Sequence, residues 1–150
     1  MAIIHVTKEF SFEMAHALNN YDGKCQYIHG HSYVLKITVA GQPISDENNP
    51  KFGMVIDFSD LKTIVNNNIL ERFDHALVLN NKAKLANELK REYQKVEIVN
   101  YQPTCENIIL HFVEILKPLL PANVILHSLQ LSETATTGTQ WFAVENEYRI

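Results

Sequence analysis

Residues 3–12 read IIHVTKEFSF, and apolar and polar side chains alternate along them. The apolar positions on one side are Ile4, Val6, Phe10 and Phe12, and the polar positions on the other are His5, Thr7, Glu9 and Ser11. A period of two is typical of a half-buried strand. Residues 31–41, HSYVLKITVAG, alternate in the same way. The two stretches are therefore predicted to pair as a β-hairpin.

Beyond this hairpin, the spacing of apolar residues predicts three helices. The first follows the predicted N-cap Asp57, and its apolar positions are Phe58, Leu61, Val65, Ile69 and Phe73. The second covers 82–93 and carries many charges on a solvated face. The third begins behind the predicted N-cap Thr104, and its apolar positions are Ile108, Ile109, Phe112, Val113 and Leu116.

Three more strands are predicted at 96–99, 124–132 and 139–148. The resulting order, β-β-α-α-β-α-β-β, lacks the regular βαβ alternation of a parallel sheet. It favours an α+β fold, an antiparallel β-sheet with helices packed on one face.

The strand at 124–132 is expected to be apolar on both sides. Ile125, Leu129 and Leu131 are expected on one side, and Val124 and Leu126 on the other. Uncovered apolar sheet is a liability for a monomer, so a homo-oligomer is expected.

Length and composition exclude several classes of protein. A chain of 150 residues has the size of one compact domain, so a single domain over 1–150 is expected. Hydrophobic residues make up 46%, and Gly and Pro number only 5 each, which argues against disorder. The net charge of -4 and the lack of a basic run argue against nucleic acid as a partner. No long apolar stretch or signal segment is visible, so a cytoplasmic protein without a membrane partner is expected.

The segment Cys25-Gln-Tyr-Ile-His29-Gly-His31 carries the strongest sign of chemistry. Residues two apart in an extended backbone project to the same side, so His29 and His31 can bring two imidazoles together. His16, in FSFEMAH, is a third candidate that the hairpin partner could place beside them. Three histidines with one open position are typical of a catalytic zinc site. Cys25 could close such a site as a fourth ligand, or it could remain a free thiol that acts as base or nucleophile.

Two further motifs carry carboxylates. Asp74-His75 could form a pair in which the carboxylate orients an imidazole that moves protons, although such a dipeptide is common. Glu133 precedes a Thr-rich turn and could accept hydrogen bonds from the N–H groups of a ligand, or it could be an ordinary charge at the end of a strand. Cys105, behind Thr104, is interpreted as a packing residue.

Six segments occur in a specific order between Phe10 and Trp141: FSFEMAH, KCQYIHGHSY, GMVIDF, FDHALVLN, PTCENI and SET. In this order they resemble the 6-pyruvoyltetrahydropterin synthase family, which includes the bacterial 6-carboxytetrahydropterin synthases of queuosine biosynthesis. The resemblance implies a T-fold. It also implies trimers joined edge to edge, two of which stack as a hexamer with active sites at subunit boundaries.

The resemblance also implies roles for the motif residues. His16, His29 and His31 would be the zinc ligands, and Cys25 would be the catalytic base. Asp74 and His75 would form a relay, and Glu133 would anchor the guanidine-like edge of the pterin. Thr104 and Glu106, in the PTCEN segment, are expected to contact the substrate. That substrate would be 7,8-dihydroneopterin triphosphate, and no hydride cofactor would be needed.

The product is left open by these motifs. Three residues separate Cys25 from His29, a short spacing that resembles the bacterial, 6-carboxy branch rather than the 6-pyruvoyl enzymes. A T-fold aldolase and a non-catalytic zinc assembly protein are further alternatives. The segment 81–101 looks longer than in compact bacterial relatives and is a candidate for altering the rim of the site or the oligomer. Cations for the triphosphate are few near the motifs, namely Lys24, Lys8 and Lys36.

Overall fold

The computed structural model describes residues 2–146. Its strands are β1 (Ile4–His16), β2 (His29–Gly41), β3 (Ala76–Asn80), β4 (Val96–Val99), β5 (Val124–Ser132) and β6 (Gly138–Phe142). Its α-helices are α1 (Phe58–Val65), α2 (Glu71–Phe73), α3 (Ala86–Tyr93), α4 (Cys105–Leu116) and α5 (Ala143–Asn146). A π-helical segment, Asn66–Leu70, joins α1 to α2, and 3-10 turns lie at Lys24–Gln26 and Lys117–Leu119.

The strands form one sheet in the order β4-β3-β1-β2-β5-β6. The predicted hairpin is confirmed: β1 and β2 pair antiparallel from Ile4 opposite Gly41 to His16 opposite His29. The pairs β2–β5 and β5–β6 are also antiparallel. The pairs β1–β3 and β3–β4 are parallel. The sheet is thus mixed, with its parallel pairs at one edge.

One face of the sheet is covered by α1 and α4, as the predicted α+β fold requires. Alternate residues of the central hairpin enter the core on this face, namely Phe10, Phe12, Met14, Tyr33, Leu35, Ile37 and Val39. The helix α4 supplies all five of its predicted apolar positions to the same core. Full burial of one such side chain stabilises the fold by about 1.5 to 3 kcal/mol.

The helix after Asp57 begins where the sequence predicts, because the Asp57 carboxylate accepts a hydrogen bond from the Ser59 backbone N–H at 2.7 Å. Leu61, Val65, Ile69 and Phe73 are buried at steps of four. An α-helix has 3.6 residues per turn, so such steps drift around its axis. The π-helical segment contains a wider turn, in which the Glu71 N–H bonds to the Asn66 carbonyl, and this returns the stripe to the core. Phe58, by contrast, is 56% exposed, so its predicted burial is wrong.

A β-bulge in β5 corrects the predicted faces of that strand. Thr38 lies opposite Ser128 and Val39 opposite Leu126, so His127 is an extra residue. The alternation therefore changes at His127, and Val124 and Leu126 join the core together with Leu129 and Leu131. Ile125 is 59% exposed, so it does not lie on the side of Leu129 and Leu131, and its predicted placement there is wrong. This strand therefore does not support the expectation of an oligomer, which stays a prediction.

Three secondary-structure elements differ most from the sequence predictions. Strand β3 was not predicted, and the helix expected at 82–93 begins only at Ala86. The strand expected at 139–148 ends at Phe142, where α5 begins, and residues 147 and 148 lie outside the described residues. Within residues 2–146, no helix is long and apolar enough to cross a membrane.

A small second cluster lies under α3. Leu79, Ala86 and Val96 are buried in it, and Leu77 and Leu89 pack against it. Val78 belongs to the main core instead. Neighbouring residues of a strand point to opposite faces, so α3 covers the face of β3 that α1 and α4 leave open.

Candidate metal centre and active site

The register of the hairpin brings three histidines to one end of the sheet. His16 lies opposite His29, and Met14 lies opposite His31. Directly opposed residues share a face, so all three imidazoles lie on the face that carries the core. Their ring centroids are 4.6 to 5.2 Å apart. One nitrogen from each ring lies within 4.8 Å of the others, so the three side chains could hold a metal ion.

Two backbone carbonyls fix how these rings are turned. The Nδ1 atom of His16 donates to the Pro103 carbonyl at 2.7 Å, and that of His29 donates to the Tyr27 carbonyl at 2.7 Å. A carbonyl can only accept, so each Nδ1 carries the proton. In the neutral rings the lone pairs are then on the two Nε2 atoms, which face each other at 3.0 Å. Two facing lone pairs at this distance fit a shared cation, and neutral imidazoles suit zinc.

The electrostatic surroundings keep His16 in the form that binds metal. Burial lowers the pKa of its imidazole from the ordinary value, and the neighbouring His29 and His31 add to this effect. The hydrogen bond to Pro103 and the charge of Glu133 act in the opposite direction. A histidine must be neutral to ligate a metal, so a depressed pKa favours binding.

Glu133 lies next to this cluster, directly after β5. Its Oε1 atom is 3.9 Å from the Nε2 atom of His16 and accepts a hydrogen bond from the Tyr33 hydroxyl at 3.2 Å. Its side chain is 22% exposed, so part of the carboxylate remains open to a ligand. The sequence-based candidates Glu133 and the three histidines are therefore brought together.

Tyr33 is a site residue that the sequence analysis did not single out. Its side chain is completely buried, and its ring stacks on Phe12 with centroids 5.2 Å apart. Its ring also makes T-shaped contacts with His16 and His31, with centroids 6.4 and 5.5 Å apart. Burial raises the pKa of its hydroxyl far above the ordinary value, and the charge of Glu133 raises it further. The hydroxyl is thus a permanent donor to Glu133. The signal in the sequence was its place two residues beyond His31 on the same strand face.

Cys25 lies in the 3-10 turn Lys24–Gln26 and is half-buried. It is not among the groups that converge on the possible metal position. Its carbonyl accepts a hydrogen bond from the Leu18 N–H at 2.8 Å, which ties Cys25 to the chain two residues beyond His16. These two observations favour an open metal site with a free thiol beside it.

Asp74 and His75 form the predicted pair, with 2.9 Å between Asp74 Oδ1 and His75 Nδ1. Both residues form hydrogen bonds with the backbone of Glu13 in β1. The Glu13 N–H donates to Asp74 Oδ1 at 2.9 Å, and the His75 N–H donates to the Glu13 carbonyl at 2.5 Å. His75 adopts a left-handed backbone with φ of 61°.

The Asp74–His75 pair does not join the histidine cluster within the described part of the chain. The His75 side chain is 74% exposed. It lines a cavity of about 710 Å³ together with Glu13, His31, Ser32 and Leu89. The Glu13 and Ser32 side chains alternate away from the core face, and Leu89 belongs to α3, which covers that same face of β3. The cavity therefore lies mainly on the side of the sheet opposite the core, and His31 of the histidine cluster also lines it.

The start of α4 holds the remaining candidates. Thr104 is the N-cap, as predicted, and its hydroxyl accepts from the Asn107 N–H at 3.3 Å. Glu106 is exposed in the first turn of α4. Their contact with a substrate stays a prediction. Cys105 is buried, its thiol donates to the Leu131 carbonyl at 3.4 Å, and burial raises its pKa to about 11. These contacts agree with a packing role.

Solved structures with the same fold identify the class of protein. A 6-pyruvoyl tetrahydropterin synthase from Caenorhabditis elegans superimposes with a TM-score of 0.68 at 26% identity, covering 95% of this chain and 96% of its own. An uncharacterised protein from Wolinella succinogenes superimposes with a TM-score of 0.77 at 19% identity, covering 95% and 99%. The fold is therefore the T-fold of the tetrahydropterin synthases.

Sequence comparison then identifies the family. The model of the family 6-pyruvoyl tetrahydropterin synthase matches residues 5–144. A 6-carboxy-5,6,7,8-tetrahydropterin synthase from Haemophilus influenzae is 38% identical over 140 residues, which cover 91% of this chain and 96% of that protein. One from Synechocystis is 32% identical and covers 92% of each. This chain belongs to the 6-pyruvoyl tetrahydropterin synthase family, and the resemblance stated from its motifs is confirmed.

Proposed function

We propose that the protein is a zinc-dependent lyase that converts 7,8-dihydroneopterin triphosphate and water to 6-carboxy-5,6,7,8-tetrahydropterin, acetaldehyde and triphosphate. The observation that carries the proposal is the convergence of His16, His29 and His31 beside Glu133. Relatives named for the 6-carboxy product, which match over most of both chains, support this choice of product. We propose that the reaction serves queuosine biosynthesis in the cytoplasm.

The three histidines would hold Zn²⁺ through nitrogen atoms that the two carbonyl contacts leave free. A metal held there would supply positive charge that acidifies a hydroxyl of the substrate side chain. Glu133 accepts hydrogen bonds from the N–H groups at the guanidine-like edge of the pterin. Tyr33 holds that carboxylate in place through its hydroxyl.

Cys25 is proposed as the base that accepts the proton from the substrate carbon. The hydrogen bond from the Leu18 N–H supports this role, because it holds Cys25 to the chain just beyond His16, the histidine that Glu133 borders. Proton transfer by a positioned side chain contributes about 10²- to 10⁴-fold to a rate. Thr104 and Glu106 are proposed to contact the substrate from the start of α4.

We propose that the Asp74–His75 pair serves the site of a neighbouring copy in a trimer or hexamer. The exposure of His75 and its place on the opposite side of the sheet support this arrangement. Asp74 would keep the imidazole oriented through the 2.9 Å contact while His75 transfers a proton.

The alternative is formation of 6-pyruvoyltetrahydropterin and triphosphate from the same substrate. The likeness to the Caenorhabditis elegans 6-pyruvoyl tetrahydropterin synthase favours it. The same residues would act, and only the fate of the side-chain carbons would differ.

The deciding experiment incubates the zinc-loaded protein with 7,8-dihydroneopterin triphosphate without oxygen and identifies the products by mass spectrometry. A 6-carboxytetrahydropterin mass together with trapped acetaldehyde is expected. A 6-pyruvoyl product would establish the alternative, and an unchanged substrate would refute both.

The Cys25→Ala variant is expected to keep one zinc per chain and to lose turnover, and a fully active variant would contradict the role of the thiol.

A second measurement separates the enzyme from a non-catalytic zinc protein whose site is closed by Cys25. The zinc is replaced by cobalt, and the absorption spectrum is recorded for the unaltered chain and for Cys25→Ala. We expect no thiolate-to-metal charge-transfer band in either sample. A strong band that disappears in Cys25→Ala would mean that Cys25 is a ligand.

A further inference from the structure

The side chain of Gln102 pairs with both backbone groups of one distant residue. Its Oε1 atom accepts from the Asn19 N–H at 3.0 Å, and its Nε2 atom donates to the Asn19 carbonyl at 2.7 Å. The two residues are 83 positions apart. A primary amide that meets a peptide unit in this way imitates one step of strand pairing. The contact therefore fixes both the position and the orientation of Asn19.

Gln102 itself is held firmly on its own side. Its carbonyl accepts from the Asn107 side chain at 2.9 Å and from the Thr104 N–H at 2.8 Å. The next residue is Pro103, whose carbonyl accepts from His16 Nδ1. The segment that carries Gln102 is thus tied to the start of α4 and to one of the three histidines.

On the other side, Asn19 belongs to the loop between His16 and the turn that carries Cys25. In that loop the Leu18 N–H donates to the Cys25 carbonyl at 2.8 Å. Asn20 turns the chain with a left-handed φ of 60°, and Asn20, Tyr21 and Asp22 are exposed. The contact from Gln102 reaches this loop next to the residue that holds Cys25.

We propose that Gln102 is a positioning residue that sets the placement of the Cys25 thiol relative to the histidine cluster. It acts through Asn19 and Leu18 and does not touch the substrate. Its two hydrogen bonds to Asn19 hold the loop at this point. The role of the thiol in turnover rests on the proposed function, whereas the placement of the loop does not.

The test compares Gln102→Ala and Gln102→Glu with the unaltered chain. Gln102→Glu keeps an acceptor for the Asn19 N–H but loses the donor and sets a carboxylate against the Asn19 carbonyl. Gln42→Ala is the matched control, because Gln42 is exposed directly after Gly41, at the other end of β2 from His29. All four proteins are first loaded with zinc, and the metal is counted.

Two readouts report on the loop without any substrate. The first is the rate of iodoacetamide alkylation of Cys25 at fixed pH, followed by peptide mass spectrometry, with the buried Cys105 as internal reference. The second is amide hydrogen exchange over residues 17–26. Both Gln102 variants are expected to keep their zinc, to change the Cys25 alkylation rate at least about threefold, and to exchange faster than Gln42→Ala.

Activity on the pterin triphosphate is the third readout. Misplacement of a reacting group by a fraction of an ångström to 1 Å reduces rates by about 10- to 100-fold. A fall of that size in kcat, with KM changed less than about twofold, is therefore expected for both variants. If the unaltered chain turns over no pterin while the alkylation and exchange results hold, the proposed function fails and the positioning role stands.

The proposal is overturned if the variants lose only thermal stability while Cys25 alkylation and exchange at 17–26 match those of Gln42→Ala. It is also overturned if the kcat of both variants equals that of the unaltered, active chain. If Gln102→Ala does not fold, Gln102→Glu decides by the same criteria, since it preserves the size of the side chain.

Discussion

The histidine cluster and the Asp74–His75 pair are held in different ways. The side chain of His16 is 3% exposed, and that of His75 is 74% exposed. In the cluster, carbonyl contacts fix the rings of His16 and His29. In the pair, contacts with the Glu13 backbone fix the His75 N–H and the Asp74 carboxylate, while the His75 ring faces an open cavity. One half of the proposed site is therefore preorganised within a single chain, whereas the other half faces outward.

Because of this difference, we expect metal binding and proton transfer to require different parts of the molecule. Metal binding should need only residues of one chain. Proton transfer by His75 should need something that closes over the 710 Å³ cavity or that receives the ring from outside. The comparison can therefore be tested by altering each half separately.

The largest effect is expected for His31→Ala. Without one of its three histidine ligands the site has too few donors to hold zinc, so both bound zinc and turnover should be lost. Metal content after gel filtration and initial rates measure the two quantities. His75→Ala is the control, and it should keep its zinc. A His31→Ala protein that retains one zinc per chain would place the metal elsewhere.

A large effect on turnover alone is expected for His75→Ala. The rate should fall by about 10²- to 10⁴-fold while zinc is retained, because only the proton-transfer half is altered. Co-expression with His31→Ala should restore about a quarter of the activity of the unaltered chain if each site combines two subunits. Absence of any recovery in the mixed protein would show that the two halves act within one chain.

A smaller effect is expected for Tyr33→Phe. The variant keeps the buried ring but removes the donor to Glu133, so affinity for the pterin should fall about tenfold with zinc unchanged. Isothermal titration with a pterin that cannot react provides the measurement. Tyr101→Phe is the matched control, because its hydroxyl is bonded to His111 outside the cluster. Equal affinities of the two variants would remove Tyr33 from the site.

The smallest effect is expected for His111→Gln, which tests an imidazole outside both halves. The Tyr101 hydroxyl lies 2.6 Å from His111 Nδ1, and losing this bond should lower the unfolding free energy by about 1 kcal/mol at pH 7.5. Burial and the Arg72 charge lower the pKa of His111. Below pH about 6.5 the unfolded state therefore takes up the proton first.

The stability of the unaltered chain should accordingly fall relative to His111→Gln as the pH decreases below 6.5. Urea unfolding at pH 7.5 and 5.5 measures the difference. A gap between the two proteins that widens in acid would contradict the direction of this pKa shift.

The sequence predicted the elements whose pattern depends on local contacts. The hairpin and the helix behind Thr104 follow from alternation, helical spacing and an N-cap, and each is found at or close to its predicted residues. Strand β3 was missed because its five residues directly follow the Asp74-His75 motif. Its partners β1 and β4 lie far along the chain or beyond α3, so no local turn signals the pairing.

A backbone irregularity made one prediction of strand faces wrong. The bulge at His127 shifts the alternation by one residue, and nothing in the sequence of that strand marks it. Ile125 was assigned to the wrong side for this reason. The π-helical segment has the opposite effect, because its wider turn keeps apolar residues spaced four apart on one face of the predicted helix.

In the site, the convergence of His16 with His29 and His31 could be predicted from the hairpin alone. The contacts from Pro103 and Gln102 could not, because they depend on where α4 begins relative to a loop more than 80 positions earlier. The place of Asp74 and His75 on the opposite side of the sheet depends on β3, which the sequence did not reveal.

The two Nε2 atoms that face each other at 3.0 Å have a consequence for handling the protein. A cation that binds there joins the ends of β1 and β2 in the folded state only, so its binding energy adds to folding by mass action. At a free zinc concentration 100 times the dissociation constant, the gain is about 2.7 kcal/mol. The thermal midpoint should then follow the free zinc concentration, and a chelator in the purification buffer should yield a less stable protein.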